Sequence, residues 1–127
     1  MFNFKSKNKY GNKTIKTADN NFDSKKEYNR YLELKILEKV KLIKDLVLHP
    51  KYELQPSFKF NNETIRAIHY IADFGYYDVK KDIYVVEDVK AFARNLNKYL
   101  TTKDFNIKLK LFKYKYCLEK KIEFRLV

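Results

Sequence analysis

Asp73, Asp88 and Lys90 have the types and spacing to gather two carboxylates and a lysine on one face, a set suited to holding a divalent cation. They lie on two apolar-rich runs, Tyr70-Ile71-Ala72-Asp73-Phe74 and Val85-Val86-Glu87-Asp88-Val89-Lys90. The polar stretch between the runs, Asp78-Val79-Lys80-Lys81-Asp82, reads as a chain reversal. A β-hairpin centred between Lys80 and Lys81 sets Asp73 opposite Asp88, and opposed residues of an antiparallel pair share a face with Cβ atoms roughly 4.5–5.5 Å apart. Strand side chains alternate, so Lys90 joins Asp88 on that face and Glu87 points the other way. Two facing carboxylates repel unless something positive sits between them. A divalent cation would supply that charge, and Mg2+ is typically held by one or two carboxylates with water and phosphate oxygens. The bland alternative is ionic: Asp73 paired with Lys90 or Arg66, and Asp88 in a salt bridge across the hairpin. In the catalytic reading Lys90 positions the attacking water or stabilises charge developing on the phosphate.

The elements that must carry these residues can be read along the chain. Ser24 followed by Glu27 is a capping-box pattern with Phe22 as a staple residue, and it opens a helix that runs to about Leu42. Tyr28, Tyr31, Leu32, Leu34, Ile36, Leu37 and Val40 give this helix a broad apolar band, which predicts extensive burial. Glu27 is either a cap residue or a third carboxylate of the site. Glu33 falls off its helical face. Asp45 to Pro50 reads as a connector with a short extended piece at Leu46-Val47-Leu48. Tyr52 to Phe60 alternates like a strand, with Pro56 marking an edge or bulge and Gln55 a candidate neighbour of the metal. Asn61-Asn62 makes a turn, Thr64 to Tyr77 a long second strand, and Ile83 to Phe92 a third. Residues 93–100 read as a loop or helical turn. Phe105 to Leu111 fits both strand and helix periods, but the Thr102 cap signal and the length favour a helix from about Lys103 to Tyr116. Lys103, Lys108, Lys110 and Lys113 on that helix are candidate phosphate contacts, or a solvated face. Lys121 to Val127 forms a last strand. The expected fold is one α/β (α+β) domain in the order α-β-β-β-α-β with a mixed central sheet, residues 22–127, behind a basic arm, residues 1–21.

The 127 residues carry a net charge of +12, which favours a polyanionic partner such as DNA, although a lysine-rich composition contributes. There is a single cysteine, Cys117, read as a small hydrophobe that fits a reducing intracellular setting. His69 reads as packed or exposed. No run approaches the ~20 apolar residues of a membrane helix. No glycine-rich phosphate loop and no cysteine or histidine cluster for zinc is present.

With Asp73 on the second strand and Asp88-Val89-Lys90 on the third, the chain resembles the core of the PD-(D/E)XK nuclease superfamily, and Glu27 matches the first-helix glutamate of its resolvase-like branches. It is more closely similar to a family of small phage-encoded proteins of that superfamily, catalogued as a domain of unknown function. The shared segments are Tyr10 to Lys13, Phe22 to Glu27, Tyr70 to Phe74 and Val86 to Lys90. Ala72 stands where the superfamily has proline, Ala91 where the phage family has glycine, and the stretch Phe92 to Leu100 is longer than in those relatives. The resemblance implies a metal-dependent DNA endonuclease of phage origin acting in the host cytoplasm. Asp73, Asp88 and Glu27 would hold Mg2+, with Mn2+ as a substitute. The substrate would be branched or structured DNA, as for a Holliday-junction resolvase, and a homodimer would make paired cuts. The competing readings are a non-catalytic nucleic-acid-binding protein on the same fold and a phage protein that inhibits a host enzyme.

Overall fold

The structure, a computed structural model, describes residues 15–16 and 21–127. Most of the expected basic arm therefore lies outside the described residues, including the Tyr10 to Lys13 segment. What is described of it is a short antiparallel pair, β1 (Ile15–Lys16) with β2 (Asn21–Phe22).

Helix α1 spans Lys25–Lys39. Ser24 caps it, its hydroxyl accepting from the Glu27 amide at 3.1 Å. Phe22, fully buried, packs its ring 5.3 Å from Tyr28 and 5.0 Å from Tyr31. The helix ends earlier than the sequence predicts, and its apolar band is only partly used. Leu34 is buried, whereas Leu32, Ile36, Val40 and Leu42 are exposed. The reason is geometric: α1 lies on one face of a sheet, so only one stripe of it is covered.

The sheet has four strands in the order β12-β9-β8-β3. These are β3 (Ile43–Leu48), β8 (Phe74–Asp78), β9 (Ile83–Asp88) and β12 (Ile122–Leu126). β3, β8 and β9 are antiparallel neighbours, and β12 runs parallel to β9. A parallel return needs a crossover. The crossover contains the small hairpin β10 (Phe92–Ala93) and β11 (Lys98–Tyr99), helix α2 (Lys103–Phe112) and a π-helical turn, Lys113–Cys117. Thr102 caps α2 by accepting from the Phe105 amide at 3.1 Å. The ambiguous segment is thus a helix, as the cap signal indicates. The mixed α+β class and the α-β-β-β-α-β core order hold.

Two strands differ from expectation. The first core strand is β3, in the segment read as a connector, and not Tyr52 to Phe60. The expected long strand from Thr64 to Tyr77 is broken into β6 (Glu63–Ile65), β7 (Ile68–Ile71) and β8. Residues 51–71 leave the sheet as a separate ribbon, in which β4 (Lys51–Gln55) pairs with β7 and β5 (Phe58–Phe60) pairs with β6. Periodicity cannot show this, because both halves of the broken strand alternate; only the change of partner from β4 to β3 divides them.

Apolar side chains fill both faces of the sheet. Phe22, Ile43, Phe74, Tyr76 and Val85 pack with Leu34 of α1. Tyr70, Ala72 and Val86 pack with Phe112 of α2, which lies 4.7 Å from Tyr52 and 5.1 Å from Tyr70, ring to ring. Among the described residues no helix is long and apolar enough to cross a membrane.

Candidate active site

Two chain segments bend at the same place. His49 has φ of 53°, in the left-handed region, where β3 gives way to β4. Opposite it, Ala72-Asp73 separates β7 from β8. Backbone bonds tie the two bends together: the His49 amide donates to the Asp73 carbonyl at 2.9 Å, and the Ala72 amide to the Pro50 carbonyl at 3.1 Å. At this corner the ribbon departs from the sheet, and side chains from both layers meet.

Glu27 enters from the first turn of α1. It is 2% exposed and serves two purposes at once. Its Oε2 accepts from the Asp23 amide at 3.2 Å, completing the cap, and its Oε1 lies 3.2 Å from His49 Nε2. The two readings of Glu27 are therefore compatible, one oxygen for each. One donor atom from each of Glu27, His49 and Asp73 lies within 4.8 Å of the others. Burial pushes the Glu27 carboxyl above its ordinary range, opposed by the Asp23 amide and by His49.

Asp73 stands where the hairpin reading places it. The observed register pairs Phe74 with Glu87 and Gly75 with Val86, as a reversal centred between Lys80 and Lys81 requires. Pairing stops at Phe74, one residue short of Asp73, whose amide donates to the Glu87 carbonyl at 3.1 Å and whose Oδ2 accepts from the Val89 amide at 2.7 Å. Burial, and then the neighbouring carboxylates Asp88 and Glu27, push the Asp73 carboxyl up to about 9.

Asp88 is buried beside it. Its Oδ1 accepts from Lys90 Nζ at 2.9 Å, and its Oδ2 from the Tyr70 hydroxyl. Tyr70 is 2% exposed, and burial followed by the Asp88 charge raises its phenol well above the ordinary value. Lys90 also sits over the Phe105 ring, 4.4 Å from the centroid, a cation–π position that fixes the ammonium from a second side. Across the backbone, Lys26 Nζ donates to the Lys90 carbonyl at 2.6 Å. A cleft opens onto this group, lined by Glu27, Asp73, Lys90, Leu100, Thr102 and Phe105 among others.

Glu87 points to the opposite face, as alternation requires. It is fully buried and held by Arg30 through Nε at 2.8 Å and Nη2 at 2.6 Å, with the Tyr76 hydroxyl as a further donor. Glu33 is bound by Arg30 at 2.9 Å, away from the cleft. Gln55, at the far end of β4, does not line it. Of the four candidate phosphate contacts, Lys103 and Lys110, about two turns apart, are exposed; Lys113, on the π-helical turn, is also exposed and sits 5.6 Å over the Phe124 ring, while Lys108 is half-buried, 3.7 Å from Asp104.

Sequence reasoning missed His49 and Tyr70. His49 follows the apolar run Leu46-Val47-Leu48 and precedes a proline, so it ends a strand; placing that strand in the core is what would have drawn attention to it. Tyr70 carries no local signal, because its role depends on where Asp88 lies.

Residues 7–125 match the family described as "Protein of unknown function (DUF1064)". The chain belongs to DUF1064. No curated protein and no solved structure matches it. Within this DUF1064 chain the corner joins three of the four segments that carry the resemblance: the start of α1, the Tyr70 to Phe74 run and the Val86 to Lys90 run.

Proposed function

We propose that this DUF1064 protein is a metal-dependent endonuclease that cuts branched or structured DNA. The observation that carries the reading is the convergence of Glu27, His49 and Asp73 within ligand distance, next to the ion-paired Asp88 and Lys90. Such a cluster holds more negative charge than its own cations offset, and the raised Asp73 carboxyl is the consequence. A divalent cation fits this donor set. Two carboxylates suit Mg2+ and Mn2+, and the imidazole inclines the set toward Mn2+.

Glu27, His49 and Asp73 would hold the ion, while both oxygens of Asp88 are taken, one by Lys90 and the other by the Tyr70 hydroxyl. Once bound, the cation supplies charge at the scissile phosphate and makes water acidic enough to attack at neutral pH. The chain's own groups do the rest. Asp88 and Phe105 fix the Lys90 ammonium, which faces the cleft and can orient the nucleophile or offset charge on the phosphate. Tyr70 holds the other oxygen of Asp88, so that carboxylate cannot rotate freely. The basic surface draws in the polyanion whatever its sequence. Paired cuts on a symmetric junction would require a homodimer.

A second reading, a DNA-binding protein without catalysis, draws on the same Lys90–Asp88 pair taken as purely structural. Cleavage of a synthetic four-way junction and of a linear duplex, in Mg2+, Mn2+ or chelator, separates the two. The nuclease reading expects metal-dependent cuts that Asp88→Asn abolishes while leaving DNA binding intact. Binding without cleavage in either metal would leave the second reading standing.

A further inference from the structure

The ribbon of residues 51–71 is rooted at the site, since His49 and Asp73 form its base. From Lys51 it reaches up to about 30 Å, roughly nine base steps along a nucleic-acid strand. Its tip is locally well specified. Asn61 and Asn62 both have left-handed φ, 49° and 62°, which is the two-residue turn that matches strand twist. The observed register pairs Phe58 with Ile65 and Phe60 with Glu63. Phe58 and Phe60 therefore share one face, and they are 46% and 61% exposed. A hairpin gains nothing in stability from showing two phenyl rings to water.

Spacing and charge indicate what they meet. Residues two apart on a strand are separated by about 7 Å, which equals two base-stacking steps of about 3.4 Å. One planar base fits between the rings. Residues 56–67 carry Lys59 and Arg66 against one acid, Glu63. Farther down the ribbon, Lys115 Nζ reaches the Glu53 carbonyl of β4 at 3.0 Å, so a basic group also flanks the stem.

We infer that the ribbon tip is a base-stacking arm that captures an unpaired base between Phe58 and Phe60 while the cleft holds the backbone. A paired base cannot enter such a slot without being unstacked, so the arm selects DNA with a strand discontinuity. This deepens the nuclease reading by naming what makes its substrate recognisable, but as a binding claim it can be tested without cleavage.

The test uses the full chain in chelator, where no cutting interferes. Fluorescence anisotropy compares a fork with a single-stranded arm against a duplex of equal length. Wild type should prefer the fork. The double variant Phe58→Ala/Phe60→Ala should lose about tenfold or more on the fork and change by no more than about twofold on the duplex. Phe60→Leu, which keeps an apolar side chain but removes the π-face, should also lose fork affinity; it controls for misfolding of the double variant. A 5-iodouracil at the unpaired position should photocrosslink to Phe58 or Phe60. Unchanged fork affinity in both variants, or crosslinks confined to other residues, would overturn the inference. So would a dimer that dissociates when the phenylalanines are removed, because the tip would then serve a second copy of the chain. An absence of cleavage in metal-containing buffer would count against the nuclease reading and leave the stacking arm in place.

Discussion

Replacing Asp73 with asparagine should stabilise this protein when divalent cations are removed. The carboxyl of Asp73 is raised from an ordinary value near 3.8 to about 9 by burial and by the neighbouring Asp88 and Glu27. Between those two values the folded chain holds a proton that the unfolded chain releases. Stability therefore falls as pH rises through this window, and Asp73 has no such effect below it. At pH 7 the solution is about three units above the ordinary value, which at 1.36 kcal/mol per unit is about 4 kcal/mol; at pH 5 it is less than half of that. Asparagine is neutral throughout, and its carbonyl can still accept from the Val89 amide, so Asp73→Asn recovers that energy. Urea unfolding in chelator should show the variant more stable by up to about 4 kcal/mol at pH 7, or about 10–15 °C in Tm, with the gap shrinking toward pH 4. Adding Mn2+ should reverse the order, because the wild-type site exchanges its proton for the ion and the variant cannot. A gap that is absent, or equal at pH 5 and pH 7, would refute the argument that Asp73 is destabilised by burial among carboxylates.

The remaining predictions probe the frame around the site. Arg30→Ala leaves the buried Glu87 with only Tyr76 as a side-chain donor and should cost about 3–5 kcal/mol by chemical denaturation. A Cβ at Gly75 would clash with the Tyr84 hydroxyl and lie 3.3 Å from Pro50 Cγ. Gly75→Ala should therefore cost about 1–3 kcal/mol, and noticeably less in a Tyr84→Phe background, which a double-mutant cycle would register. His49→Ala removes one of the three clustered donors, so the rise in Tm produced by Mn2+ should fall sharply while stability in chelator changes little, since the His49 side chain is more than a third exposed.

Local interactions made much of the molecule legible in the amino-acid sequence. The caps Ser24 and Thr102 are bonds to amides three residues away, so they depend on no distant contact. The register that brings Asp73 to Asp88 follows from the length of a single reversal, and alternation then sends Lys90 to one side and Glu87 to the other. Composition indicated a basic surface, without saying which lysines would share a face.

Tertiary structure decided the rest. Which strand pairs with β8 is a contest between Ile43–Leu48 and the alternating stretch after Pro50, and periodicity favours the wrong one. The corner at His49 and Asp73 exists because the chain changes partners there, from β4 paired with β7 to β3 paired with β8. From that corner come the third clustered donor, the phenol that holds Asp88 and the ribbon that leaves the core. Each depends on groups far apart along the chain, and a sequence read through local periods carries no term for contacts between them.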